Sequence, residues 1–401
     1  MTIDPVIMEW LSMIVRWLHV TTSMVWIGTS FYFTATDMKL RLGESLPEGA
    51  AGEAWQVHGG NFWRMVKFTV APASMPRIFT WYLWDSRVTF LSGIALLILV
   101  YYMQADLFLI DKSVMDLTPL QAGLFSLVTL LLAWFAYDGL CRSPLGKHEV
   151  VLAIVVYAFL VLITYAFTQV LSGRAAVNQI GAIVGTFMVA NAFTVIHPNQ
   201  RKSVNALFNG QRPAAELVIK ARQRSIHNNY LTLPVILLMI SNHYPLLYAT
   251  RFNWVIVAIV LALGPFIRHF FNTRNAGKGS PWWTWAVVGA GMLVIGWLSS
   301  LGPRQILRES GTTELPAFAT VRDIIISRCS MCHAKEVVWG TLATAGNTIR
   351  LDDAGQIRRY ASLIDITAVR SNAMPPGNIT EMTPEERQIL SRWLAAGASE
   401  K

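Results

Sequence analysis

The chain has 401 residues, 53% hydrophobic and only 14% charged, with 15 Trp and 15 Met, and its mean hydropathy is +0.42. Soluble domains carry about 25% charged residues, so a single soluble enzyme, a disordered chain and a nucleic-acid reader are excluded. Three cysteines are too few for a disulfide framework, and the net charge of +9 must be weighed against membrane topology before any polyanionic partner is invoked.

Eight segments are apolar enough to cross a bilayer core of roughly 30 Å. They run Val6–Phe33, Val88–Met103, Leu120–Tyr137, Val150–Phe167, Ile180–Ile196, Ile226–Ile240, Trp254–Ile267 and Trp282–Leu298. The first is too long for a signal peptide and lacks a small-residue cleavage site, so it is expected to remain as a span. The sixth contains Pro234 and opens with His227-Asn228-Asn229. Gly302-Pro303 ends the last span, and the composition then turns charged and amphipathic. The expected fold class is all-α: a polytopic membrane bundle of about eight spans (1–301), a linker (302–316) and a small helical domain (317–401). Lys and Arg number sixteen in one set of alternate loops and three in the other. By the positive-inside rule both termini face outward, into the periplasm of a bacterial inner membrane.

Cys329-Ser330-Met331-Cys332-His333 is a C-x-x-C-H sequence. Two thiols on one helical turn reach both porphyrin vinyl groups, and the adjacent imidazole lies under the iron, which is the attachment pattern of haem c. A zinc reading lacks a second cysteine pair. Cys329 and Cys332 are therefore the expected covalent attachment points and His333 the proximal iron ligand, and residues 317–401 are expected to form a small monohaem class I-like cytochrome c domain. Met374, in Ala373-Met374-Pro375-Pro376-Gly377, is the expected sixth ligand, since the prolines keep that run extended. Met382 reads as structural, standing before the cap of a helix that starts Thr383-Pro384-Glu385-Glu386. Cys141 reads as an inert, partly buried thiol.

Inside the first span, Glu9, Ser12, Arg16, His19 and Ser23 share one helical face. They form either a structural polar seam or a functional site, in which His19 is a candidate haem b ligand or proton carrier. Five of the eight histidines, His58, His148, His197, His227 and His269, fall at the cytoplasmic side of the expected topology. Beside them stand Asn199, Gln200, Arg201, Lys202, Arg222, Arg224, Asn228, Asn229, Arg268 and Asn272. Taken singly each suits a structural role, but together amides and guanidinium groups suit a planar anionic heterocycle.

The runs Val57-His58-Gly59-Gly60-Asn61-Phe62, Tyr137-Asp138-Gly139-Leu140-Cys141-Arg142-Ser143-Pro144-Leu145-Gly146, His197-Pro198-Asn199-Gln200-Arg201-Lys202 and Arg224-Ser225-Ile226-His227-Asn228-Asn229-Tyr230-Leu231-Thr232-Leu233-Pro234 resemble the bacterial membrane-bound urate oxidases. So do Ile240-Ser241-Asn242-His243-Tyr244-Pro245 and Ile267-Arg268-His269-Phe270-Phe271-Asn272. Leu83-Trp84-Asp85-Ser86-Arg87 departs from the Lys-Trp-Glu-like run expected before the second span. The resemblance implies an eight-helix urate-oxidising domain fused to a cytochrome c. It also implies oxidation of urate to 5-hydroxyisourate, with electrons leaving through the cytochrome instead of making peroxide. Expected partners are urate, the lipid bilayer and a downstream cytochrome c or terminal oxidase.

With urate as the substrate that the resemblance implies, the clustered residues lead us to expect it on the cytoplasmic face near His197, Arg201, His227, Asn229 and His269. Electrons would then cross most of the membrane, which calls for a further redox centre, a haem b with His19 as its mid-membrane ligand. A site on the outer face would instead involve Arg174 and His243. Two rival readings stand beside this one. A quinol-oxidising cytochrome subunit of a respiratory complex would need paired haem-ligating histidines on facing spans. A transporter or receptor would use the cytochrome domain for regulation.

Overall fold

A computed structural model describes residues 4–72, 79–301, 315–337 and 349–399. Asp4 starts α1 (Pro5–Lys39) by accepting from the backbone N–H groups of Val6 and Ile7. A β-hairpin follows, β1 (Ala50–His58) pairing antiparallel with β2 (Asn61–Phe68). Gly59 and Gly60 both take positive φ (60° and 76°), as a two-residue hairpin turn requires. Gln56 on the hairpin reaches back to Thr36 of α1 at 3.0 Å, so the hairpin leans on the end of that helix.

The bundle continues with α2 (Trp84–Leu96), which runs into a π-helical turn over Leu97–Tyr102, then the short α3 (Ala105–Phe108), α4 (Pro119–Arg142) and α5 (Glu149–Thr168). A single continuous helix comprises α6 (Gly173–Ala190), a π-helical segment Asn191–Ile196 and α7 (His197–Phe208). The bundle is completed by α8 (Ala215–Ile240), the short α9 (Pro245–Tyr248), α10 (Asn253–Asn275) and α11 (Trp283–Ser300). Among the described residues six helices are long and apolar enough to cross a membrane: Trp84–Tyr102, Pro119–Arg142, Glu149–Thr168, Gly173–Phe208, Asn253–Asn275 and Trp283–Ser300. Helices α1 and α8, the expected first and sixth spans, are too polar to join that set, yet they pack into the same bundle against α2 and against α6 and α10.

The core lies around α6, whose fully buried Ile180, Ile183 and Phe187 pack with Phe167, Leu238 and Ile256 of the neighbouring helices. Small residues set how closely these helices approach. Gly264 of α10 faces the Pro234 ring of α8 so tightly that a Cβ there would lie 2.2 Å from its Cδ. The outer surfaces of α1, α4, α5 and α11 expose Trp17, Leu132, Ile154 and Leu293, as lipid-facing helices would.

The C-terminal domain has its own core, built from Val321 and Ile325 of α12 (Phe318–His333), Ile357 of α13 (Ala354–Arg359), Ile364 of α14 (Ala361–Ile364), and Leu390 and Trp393 of α15 (Pro384–Ala395). Thr383 and Glu386 form a reciprocal capping box on α15, and Met382 before it is buried in this core. The expected linker lies almost wholly outside the described residues. The domain rests on one end of the bundle: Ala373 is buried within the bundle's own core cluster, and Gly377 lies against the backbone of Asp106, Leu107 and Ile110.

Candidate functional site

The opposite end of the bundle holds a buried polar layer. Asn191, fully buried, donates to the Tyr137 hydroxyl and to Asn228 Oδ1, both at 2.9 Å, and accepts from Arg224 Nη1 at 3.0 Å. Arg224 also pairs with Asp138 at 2.7 Å and lies over the Tyr137 ring. The Tyr137 hydroxyl meets His227 Nδ1 at 2.8 Å, and its ring stacks on Phe187. On the far side of α8, Asn229 Oδ1 accepts from Arg268 Nε (3.2 Å) and Asn272 Nδ2 (2.9 Å), and Arg268 covers the Phe31 ring at 3.9 Å.

Successive residues of a helix point about 100° apart, so His227, Asn228 and Asn229 face three different neighbours. His227 turns to α4, Asn228 to α6 and the π segment, and Asn229 to α10. The five residues expected to gather around one ligand are therefore spread out. His269 sits between Tyr230 and Thr273 against Trp283, and Arg201 is exposed. His197 alone of the five lines a cavity of about 440 Å³, within the size range of small-molecule sites. Trp26, Phe33, Phe79, Trp81 and Tyr82 form its aromatic walls, while His197, Gln200, Ser225 and Asn228 supply polar groups. Tyr137, Asp138 and Asn191 hold this wall in place; Tyr137 and Asp138 stood in a family-like run with no role attached, and Asn191, inside an apolar run, carried no signal of its own.

Between the two ends lies His19. Its Nδ1 is held by Thr89 O at 2.9 Å and lies 3.1 Å from Ser92 Oγ, leaving Nε2 uncommitted among the described contacts. Gly93 lets the imidazole lie close to α2. Arg16 and Glu9, further along the expected seam, are exposed and form no ion pair with each other among the described residues. At the end carrying the C-terminal domain, Arg174 donates to the Tyr248 hydroxyl at 3.0 Å and lies between the Phe108 and Tyr248 rings, whereas His243 is exposed.

Residues 5–299, which include the whole polar layer and the cavity beside it, match the family model described as urate oxidase N-terminal. The chain belongs to that family. Neither a search of curated proteins nor one of solved structures returns a match. The urate oxidase N-terminal match ends at residue 299, within the last turn of α11, and does not reach α12.

The C-terminal helices enclose a cavity of their own. Cys329, Cys332, His333 and Met374 all line it, among Ile349, Leu351, Leu363, Ile364 and Ala368. His333 Nδ1 bonds Ile349 O at 3.0 Å, which orients the ring and leaves Nε2 for another partner. Burial pushes the Cys329 thiol up to about 12 and raises that of Cys332 as well. Arg387, buried beneath the Met374 loop, donates to Met374 O at 3.0 Å, to Ala368 O, and to Asn378 Oδ1 at 3.3 Å. Burial draws its guanidinium down to about 10, and the carboxylate of Asp111 on the bundle opposes that shift. The donor set fits a covalently held haem: two thiols, an oriented imidazole and a thioether share one apolar pocket. His19 fits a single axial ligand. Among the described residues no three His, Cys, Asp or Glu side chains converge as a metal cluster.

Proposed function

We propose that this chain is a membrane-bound oxidoreductase that converts urate to 5-hydroxyisourate and passes the electrons through haem c to the respiratory chain. The overall balance is urate plus water giving 5-hydroxyisourate, two protons and two electrons. The observation that carries the reading is the 440 Å³ cavity in a chain of the urate oxidase N-terminal family. Its aromatic walls suit stacking on a planar purine, and His197, Gln200 and Asn228 can hydrogen-bond the ring edges. His197 is placed to accept a proton from bound urate or from the attacking water. Asn228 keeps its orientation because Asn191 and the Met188 carbonyl hold its amide on both sides.

In the C-terminal domain, Cys329 and Cys332 would hold haem c covalently, with His333 and Met374 as axial ligands. The group supplies one-electron acceptance, and thioether ligation raises its potential. The cavity and the docked domain stand at opposite ends of the bundle. From the N-cap Ser172 to His197 the continuous helix of α6 and α7 rises roughly 37 Å at 1.5 Å per residue. That span supports a second centre between them, a haem b held by His19. The cationic end with His197 faces the cytoplasm, the cytochrome domain faces the periplasm of the inner membrane, and a soluble cytochrome c or terminal oxidase receives the electrons.

The test adds urate to the oxidised, purified full chain and follows the absorption bands anaerobically. Growth of the c-type band, with a b-type band in the fully reduced spectrum, is the expected result. A c-type band that responds to dithionite but not to urate would refute the assignment.

A further inference from the structure

We infer that electrons enter the cytochrome domain on its methionine side, across the contact between the Met374–Asn378 loop and the bundle segment 105–111, and that Gly377 is the positioning residue of that contact. The inference rests on the proposed electron route and assigns its point of crossing.

Met374 is bracketed by two residues that touch the bundle. Ala373 before it is 6% exposed and belongs to the same apolar cluster as Tyr101, Leu109 and Ile110. Gly377 after it has φ +56°, and a Cβ there would lie 2.7 Å from Ile110 O and 2.8 Å from Asp106 O. Those neighbours are backbone carbonyl oxygens and cannot swing aside as a flexible side chain could. Glycine suits the left-handed conformation and is required by the close approach, which leaves no room for a Cβ.

Both sides of the contact are rigidly held. On the bundle, Ser172, the N-cap of α6, donates its hydroxyl to Phe108 O at 2.7 Å and its N–H to Leu109 O at 3.0 Å. On the cytochrome side, Arg387 ties Met374 O and Asn378 Oδ1 together from beneath, with Asp111 as the opposing charge across the boundary. A loop clamped at both ends and pressed onto an anchored platform holds one separation, as electron transfer between two centres requires. With haem held by Cys329, Cys332, His333 and Met374, each crossing would deliver one electron from the membrane domain to that group, so two crossings would balance the two-electron oxidation of one urate.

The test compares Gly377→Asn with Gly397→Asn in the full chain. Asparagine tolerates the left-handed region, so Gly377→Asn adds bulk with little backbone strain. Gly397 also has positive φ (87°), but its Cβ position is open, making it the control. For Gly377→Asn, the expected result is a fall of about tenfold or more in the rate of urate-driven haem reduction. The haem spectrum and reduction by ascorbate should stay those of the wild type, and hydrogen exchange should rise at residues 105–111. The control should match the wild type throughout. Urate-driven reduction at the wild-type rate in Gly377→Asn overturns the inference while leaving the proposed function intact. A wild-type chain whose haem ignores urate overturns the proposed function instead.

Discussion

Replacing Arg224 by Met tests whether the buried polar layer holds the cavity wall. The Arg224 side chain is 3% exposed and makes three distinct contacts: Asp138 at 2.7 Å, Asn191 at 3.0 Å, and the Tyr137 ring with its centroid 5.1 Å away. Removing one partner of a buried ion pair costs about 3–5 kcal/mol, mostly because the other charge is stranded. Here Asp138 keeps Arg142 at 2.6 Å and stays 15% exposed, so the low end applies, about 3 kcal/mol. Part of this is Asn191 Oδ1, left without its donor at a fully buried position. Lysine should rescue little, because one ammonium cannot reproduce the planar fork that spans two acceptors and covers a ring. The assay is reversible unfolding of the full chain in mixed micelles by SDS titration, followed by circular dichroism. Arg224→Met, Asp138→Asn and the double variant complete a cycle, with an expected coupling of about 2 kcal/mol. Single-variant costs that add to within about 0.5 kcal/mol would refute the reasoning, since the pair would then contribute nothing beyond its parts.

Gly264→Ala drives a methyl group against the rigid Pro234 ring and should cost about 1–3 kcal/mol in the same assay; an unchanged midpoint would mean that α8 and α10 separate freely. Met374→Ala should leave haem attached but give the spectrum of a weakly ligated or high-spin iron, whereas Met382→Ala, at a buried core position, should lower stability without that change; the reverse pattern would move the ligand. His197→Gln should lower kcat/KM for urate by about 10²-fold or more while the ascorbate-reduced spectrum stays constant, and undiminished turnover would place the chemistry elsewhere. A reporter active only outside the cytoplasm should be active when fused after Lys401 or Lys112 and silent after Arg212, and the opposite pattern would invert the bundle.

The C-terminal domain was the part most open to reading, because its signals are local. Thr383, Pro384 and Glu386 announce α15 within four residues, and the box they form is the one observed. Long helices were readable from hydrophobicity, although their ends were not: the fifth expected span, Ile180–Ile196, is the middle of a helix running Gly173–Phe208. Polar helical turns continued it at both ends, where hydropathy falls but hydrogen bonding does not. The hairpin went unread although Gly59-Gly60 between two aromatic runs is a turn signal; its strands expose Trp55, Phe62 and Arg64 to solvent, so no buried apolar face marks them in the sequence. Clustering in sequence misled at the site itself. His227, Asn228 and Asn229 are neighbours along the chain and diverge around α8, while Tyr137 and Asn191, far apart in sequence, meet at 2.9 Å. Which helices share a boundary is a long-range property that local pattern does not carry.

The π-helical segment Asn191–Ile196 makes the cavity a matter of arithmetic as well as chemistry. Such a segment amounts to one residue inserted into an α-helix, and one residue turns everything after it by about 100°. A chain lacking Thr194, which is exposed there, would keep all the other residues of the polar layer and every motif on either side. Its His197, Gln200 and Val204, the share that α7 contributes to the cavity, would point along a different bearing, away from the aromatic walls on α1 and residues 79–83. Two chains could thus agree in every conspicuous residue and differ in whether those residues face one another. For this fold, spacing through the 191–196 segment is a sharper criterion of shared chemistry than the histidines themselves.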